Sequence, residues 1–237
     1  MDRARRFDDQ DQLREATDWE KPVFVKIGSA RPRYDVQLAV KAGADVVVLD
    51  GMQGGTGATQ EVFIEHAGIP TLPALRQAVE ALEELGMHRK VQLVISGGIR
   101  SGADVAKALA MGADAVSIGT AALVALGCNR AAYVEDYAAL GTEPGACHHC
   151  HTGRCPVGIT TQDPMLESRL DVAEGARRVR NFLTVLTMEA QTLARACGKS
   201  HLHNLEPEDL AALTVEAAAM AGVPLAGTDW IPGRNGC

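Results

Sequence analysis

The stretch Val91–Ala121, VQLVISGGIRSGADVAKALAMGADAVSIGTA, holds two strand-length apolar runs, each ending in glycine and each leading into a helical pattern. The first run stops at Gly97-Gly98 and the second at Gly119-Thr120. Between them Val105, Ala108, Leu109 and Gly112 share one helical face. Strand, glycine turn and helix in tandem make a βα repeat, which builds a parallel sheet with helical crossovers. The arrangement also aims backbone N–H groups and two helix N-termini at one place, where a phosphate binds most readily. Glycine supplies close approach and positive φ there.

The pattern extends upstream. Val23–Gly28 (VFVKIG) and Ala44–Gly51 (ADVVVLDG) are two more apolar runs, separated by a helical stretch, Tyr34–Gly43, with Val36, Ala39 and Val40 as its stripe. Leu72–Leu85, stopped by Gly86, is the helix before the third strand. Four βα units with continuously apolar strands predict a parallel sheet buried on both faces. A doubly wound sheet is the rival architecture, but its G-x-G-x-x-G fingerprint follows none of the four strands. The fold class expected is α/β, the carboxyl-terminal four units of a (β/α)8 barrel, which places its active site at the carboxyl ends of its strands. The expected organisation is a lead-in over 1–22, the half-barrel over 23–127, a cysteine-rich segment over 128–164 and a helical extension over 165–237.

Net charge is −7 without a long basic run, which argues against nucleic acid as a partner. The charged start MDRARRFDDQ lacks the apolar core of a secretory signal. No apolar run approaches the ~18–20 residues of a membrane span. A cytoplasmic protein with reduced thiols is expected, so the six cysteines point to metal or redox chemistry.

Lys26 is the one charge in an apolar strand and has to face a cavity, a ligand or a carboxylate. Asp50 ends the second strand, as a general acid or as an acceptor for the loop backbone. That loop carries Gly51, Gly54, Gly55 and Gly57, a backbone suited to wrap a flat or anionic ligand. Cys147, Cys150 and Cys155 lie at C-x2-C-x4-C with Pro156 following, a spacing that favours an iron–sulfur cluster. Zinc shared with His148, His149 and His151 is the alternative. Cys128 is a fourth thiol upstream, and Cys197 and Cys237 read as structural or incidental. Leu170–Cys197 is a long helix with Phe182, Leu183, Val185, Leu186 and Leu193 among its apolar positions. His201 and His203 are expected to cap or hydrogen-bond, Pro207–Ala221 to form a helix with proline in its first turn, and the terminus to form an irregular arm.

Together VFVKIG, GGTGAT with the HAG that follows, VQLVISGGIRSGADVAKALAMGADAVSIGTAALVALGC and CHTGRCPVGITTQDP, in this order from about Pro22 to Ala221, resemble one family. It is the FMN-binding domain of the glutamate synthase large subunit, most of all its stand-alone relatives such as the flavoprotein subunit of N-methylglutamate synthase. The resemblance implies a (β/α)8 barrel holding FMN beside a three-iron (3Fe-4S) cluster. It implies reduction of the imine formed from 2-oxoglutarate and ammonia or methylamine. On that likeness Ser96, Gly97, Gly98, Gly119 and Thr120 would surround the FMN phosphate. Lys26 would stand at the flavin N1/O2 edge, and Gly54, Gly55 and Thr56 near the ring or ribityl chain.

The family's three cluster cysteines match Cys128, Cys150 and Cys155. The sequence departs by inserting 129–146 and adding Cys147. Cys147 therefore replaces Cys128, or all four thiols hold a four-iron (4Fe-4S) cluster, or one is idle. The loop reads QGGTGATQ where glutamate synthases carry DGGTGASP, so a carboxylate is missing. The family's 2-oxoglutarate contacts lie upstream of the VFVKIG strand, and nothing before Val23 resembles them. The expectation is a fragment, or a subunit whose barrel another polypeptide completes, in an oligomer with an amidotransferase or reductase subunit. An IMP-dehydrogenase-like barrel shares the GGIR and GT turns but needs a loop cysteine, and none precedes Cys128. A non-catalytic subunit that carries cofactor without binding substrate is the reading from another class.

Overall fold

The structure, a computed structural model, describes residues 11–55 and 59–234. Strands β1 (Phe24–Gly28), β2 (Val46–Asp50), β3 (Gln92–Ser96) and β4 (Ala115–Ser117) form one parallel sheet in the order β1-β2-β3-β4. Helix α1 (Pro32–Lys41) joins β1 to β2, and α2 (Glu61–His66) and α3 (Thr71–Glu84) lie between β2 and β3. Helix α4 (Gly102–Ala110) joins β3 to β4, and α5 (Thr120–Leu126) follows β4. A doubly wound sheet reverses its strand order at a switch point. Here the order never reverses, so the chain is half of a singly wound (β/α)8 barrel. The register puts Gly28, Asp50, Ser96 and Ser117 on one rung at the carboxyl edge, and Lys26, Val48, Val94 and Ala115 on the rung two residues earlier.

The core lies between the sheet and its helices. Val47, Leu49, Leu93 and Ile95 pack against Val36 and Ala39 of α1, Leu75, Ala78, Val79 and Leu82 of α3, and Ala108 of α4. Full burial of each such Leu, Ile or Val contributes about 1.5–3 kcal/mol. The alternate strand residues have no such cover. Phe24 and Lys26 are both 61% exposed, Gly28, Ala115 and Ser117 are exposed, and Val48 and Val94 are half-buried. The sheet is therefore covered on one face, not two. Continuous apolar strands imply a partner on each side, and the described residues supply helices to one side only.

A repeated turn sets the strands in place. Gly43-Ala44-Asp45 and Gly112-Ala113-Asp114 both follow a helix and precede a strand, with each glycine at positive φ. In each the aspartate makes a reciprocal pair with a residue at the entry to a neighbouring strand, Val23 just before β1 or Leu93, the second residue of β3. Val23 N–H donates to Asp45 Oδ2 at 2.7 Å and Asp45 N–H to the Val23 carbonyl at 3.0 Å. Leu93 N–H donates to Asp114 Oδ2 and Asp114 N–H to the Leu93 carbonyl, both at 2.8 Å.

Beyond the sheet, α6 (Val134–Ala139) and α7 (Pro164–Glu167) flank the cysteine segment. Helix α8 (Val172–Ala196) runs 25 residues. Gly175, Leu186, Ala190 and Ala194 are its buried positions. Leu183, Val185 and Leu193 are exposed, so only part of the expected apolar stripe is used. The expected single helix over Pro207–Ala221 is broken into a 3-10 turn, Pro207–Asp209, and α9 (Val215–Ala221). Between them Ala212 pairs with Leu225, and the Thr214 side chain caps α9. His201 and His203 do cap and hydrogen-bond: His201 Nδ1 accepts from the His203 N–H, and His203 Nε2 contacts the Asp114 carbonyl at 2.9 Å. Among the described residues no helix is long and apolar enough to cross a membrane.

Candidate functional site

The carboxyl edge of the sheet gathers the expected residues. Lys26 reaches along the open face to Asp50, with Nζ 3.3 Å from Oδ2. The other oxygen, Asp50 Oδ1, is buried without a hydrogen-bond partner. It lies against Gly54, where an added Cβ would come within 2.0 Å of it. The Gly54 loop in turn touches the Gly97 turn: a Cβ on Gly97 would stand 3.1 Å from Gly54 N and 2.7 Å from Thr71 Oγ1, and its φ is +111°. Gly97 therefore has to be glycine on two independent grounds. Gly98 and Gly55 also take positive φ, and Thr56 lies outside the described residues.

Gln53 and Thr71 lock these turns together. Thr71 N–H donates to Gln53 Oε1 at 2.8 Å. The Thr71 hydroxyl stands 2.8 Å from both that oxygen and the Gly97 carbonyl, one proton between two acceptors. Both residues were missed from sequence because their roles depend on loops 18 and 26 positions apart.

The expectation of two free helix N-termini is half right. Ser101 and Asp104 form a capping box on α4, and Asp104 Oδ2 also accepts from Arg100 N–H. Gly102 N–H donates to Glu189 Oε2 of α8 at 2.9 Å. With two carboxylates already there, the α4 N-terminus offers nothing to an anion. Helix α5 starts at Gly119-Thr120 with no side-chain cap, and nothing lies within 4 Å of where a Gly119 Cβ would be. The expected phosphate residues thus lie in two turns at the carboxyl edge, Ser96–Gly98 after β3 and Gly119–Thr120 after β4. A hollow of about 650 Å³ nearby belongs to the helix side of the edge. It is lined by Gly97 and Gly98 themselves, with Gln53, Thr71, Arg100 and Lys107 among others, and touches neither Lys26 nor Gly119.

Directly after α5 come the thiols. Cys155 is buried beside Tyr137 and Val157, with Cys147 packed on the same cluster. The Tyr137 hydroxyl donates to the Cys128 carbonyl. Burial raises the Cys128 thiol above its ordinary pKa, reinforced by Cys150, Cys155 and Cys147. Burial alone would raise Cys155 too. The N–H groups of Thr160, Val157 and Ile159 and the Thr160 side chain outweigh it and hold the thiol below its usual value. His149 Nε2 is engaged with the Leu140 carbonyl at 3.0 Å. Among the described residues no three His, Cys, Asp or Glu side chains close on one point, as a single tetrahedral ion requires.

A family model described as a conserved region in glutamate synthase matches residues 8–200. The chain belongs to the glutamate synthase family. Within that family it is 70% identical over 224 residues to a glutamate synthase large subunit-like protein of Rhizobium meliloti, covering 94% of this chain and 51% of the relative. An archaeal glutamate synthase [NADPH] of Methanocaldococcus jannaschii is 45% identical over 195 residues, covering 81% of this chain and 35% of the relative. The chain thus spans about half the length of the first of these relatives and about a third of the second. Among solved structures, a mutant flavocytochrome b2 with pyruvate bound superposes with a TM-score of 0.52 over 85% of this chain and 36% of that one. At 22% identity it shows the fold alone.

Proposed function

We propose that this chain is the cofactor-carrying half of a glutamate synthase-type oxidoreductase that reduces an imine of 2-oxoglutarate to glutamate or N-methylglutamate. The observation that carries it is one juxtaposition. The Ser96–Gly98 and Gly119–Thr120 turns and the Lys26–Asp50 pair share the carboxyl edge of an open half-barrel, with Cys128 directly after α5 and Cys147, Cys150 and Cys155 beyond the inserted segment. FMN, when bound, supplies two-electron transfer to the imine carbon, and an iron–sulfur cluster supplies electrons singly. Gly97 and Gly98 bring backbone close to a phosphate, and the uncapped start of α5 offers it N–H groups. Lys26 places a positive charge where charge builds on a reduced ring, and Asp50 holds the ammonium in position. The orphan oxygen of Asp50 is an acceptor awaiting a donor from the loop or the ligand. The Thr71–Gln53 link keeps the Gly54 and Gly97 turns from spreading. The remaining walls of the site, including the substrate contacts, come from the four βα units that would cover the open face.

Titrating the chain with FMN and with riboflavin tests this reading. The phosphate turn predicts that FMN binds at least ~10-fold more tightly, since each hydrogen bond to a charged group contributes about 1.5–3 kcal/mol. Equal affinity for the two flavins would sink the assignment of the phosphate turn.

A further inference from the structure

We propose that the hollow on the helix side of the carboxyl edge is a second small-molecule site, which takes an organic carboxylate with an apolar body and, when filled, braces the flavin-phosphate turn. The binding stands on the hollow alone. The coupling rests on the phosphate turn of the function proposed above.

The hollow has a size and walls of its own. Its volume of about 650 Å³ falls within the roughly 300–1,000 Å³ of small-molecule pockets. Three elements wall it: Leu72 and Pro73 at the start of α3, Ile99 after the glycine turn, and Ala217 and Met220 of α9. Met220 is 47% exposed, apolar surface that an occupant would take out of water.

The polar groups ask for an anion. Two cations, Arg100 and Lys107, line the hollow against one carboxylate, Asp104. Asp104 Oδ2 already accepts from the Arg100 and Ser101 N–H groups, and Arg100 Nε stands 3.8 Å from it. Lys107 is exposed and has no ion pair among the described residues. Gln53 adds a neutral donor. Its side-chain oxygen receives the Thr71 N–H, and a backbone N–H can meet only the oxygen of an amide. That fixes the amide and leaves its NH2 without a partner among the described residues. One surplus positive charge, a free amide NH2 and apolar walls suit a single carboxylate on a hydrocarbon body. Side chains meet that anion, not the α4 N-terminus, which Asp104 and Glu189 occupy.

The hollow and the phosphate turn share parts. Gly97 and Gly98 line the hollow, the Thr71 hydroxyl stands between Gln53 Oε1 and the Gly97 carbonyl, and Gln53 Cβ lies 3.1 Å from where a Gly98 Cβ would be. An occupant packed on Gln53 and the two glycines restricts the turn from behind. Less freedom then remains for FMN to remove when it binds. By linkage each ligand tightens the other by the same factor.

The test is nuclear magnetic resonance of the whole methyl-labelled chain titrated with hexanoate. Saturable shifts are expected at Leu72, Ile99 and Met220, with Val48 and Val94 of the open sheet face unmoved. Hexanamide, the same body without the charge, is expected to bind at least ~10-fold more weakly, as is hexanoate to Lys107→Gln. With FMN saturating, hexanoate is expected to bind at least ~5-fold more tightly. No saturable shift at the three residues with hexanoate or benzoate, or shifts confined to Val48 and Val94, would overturn the site. Equal affinity for hexanamide, or for hexanoate in Lys107→Gln, would overturn its chemistry. Unchanged hexanoate affinity in the presence of FMN would overturn the coupling, and mutual exclusion would make the hollow part of the flavin site rather than a second one. A chain that binds hexanoate as described but takes up no FMN would overturn the function proposed above and the coupling with it, while the hollow stands.

Discussion

At the scale of single residues, the glycines divide into those that the fold requires and those that leave room. Gly97 combines a φ of +111° with backbone and hydroxyl neighbours at 2.7–3.2 Å from any added Cβ. Gly97→Ala is expected to cost about 1–3 kcal/mol from its backbone conformation alone, more with the clash, and to weaken FMN binding with it. Gly28 sits on the rung of Asp50 and Ser96 with nothing within 4 Å of its would-be Cβ. Gly28→Ala is expected to change stability by no more than about 0.5 kcal/mol. Thermal melts of the two variants check the contrast, and equal melts would show that the Gly97 turn is not held as described. Lys26 was legible because an ammonium in an apolar strand demands a partner, and the structure supplies Asp50. Gln53 and Thr71 were not, because a neutral amide and a hydroxyl announce nothing until two distant loops meet on them.

The elements show which sequence signals carry across distance. Glycine turns and apolar runs placed all four strands, since periodicity of burial is written locally. Of the two carboxylates on α4, Asp104 stands three residues after Ser101 and is a local signal, whereas Glu189 was missed because it arrives from α8, 87 residues away. The insertion reads from sequence as polar and irregular with a helix around Ala131–Leu140, and the structure forms it as a 3-10 turn, Ala131–Tyr133, running into α6. Not legible was the role of Tyr133 and Tyr137, two of the chain's three tyrosines, spaced as neighbours on one helical face. The repeated Gly-Ala-Asp was also in plain view. Its meaning is that a helix exit and a strand entry are fixed by the same carboxylate. Asp114 is nearly buried and satisfies Leu93 N–H at the start of a central strand, whereas Asp45 is half open to water. Asp114→Ala is expected to cost about 2–3 kcal/mol, the upper range for a charge-assisted bond whose loss strands a buried N–H. Asp45→Ala is expected to cost roughly 1 kcal/mol. Denaturant midpoints of the two variants give the comparison, and an Asp45 effect equal to or larger than that of Asp114 would contradict it.

For the whole molecule, the continuous apolar strands predict two covered faces, and the described residues cover one. Phe24 at 61% exposure and the half-buried Val48 and Val94 make sense only against something further. Half a barrel also leaves two edges, β1 and β4, each hydrogen-bonded on one side among the described residues. Unpaired strand edges and an exposed apolar sheet face both favour association, and the Rhizobium meliloti relative is about twice as long as the match. Four more parallel units would satisfy both edges and the open face at once. Hydrogen exchange resolves this strand by strand. In the chain alone, amides of β2 and β3 are expected to exchange slowly, while the outward-pointing amides of β1 and β4 exchange at rates near those of loops. Adding the part of that relative which this chain does not match is expected to slow β1 and β4 to the level of β2 and β3. If instead both edge strands are already protected in the chain alone, with protection rising with its own concentration, copies of the chain are closing on one another. The need for a different set of strands would then fall.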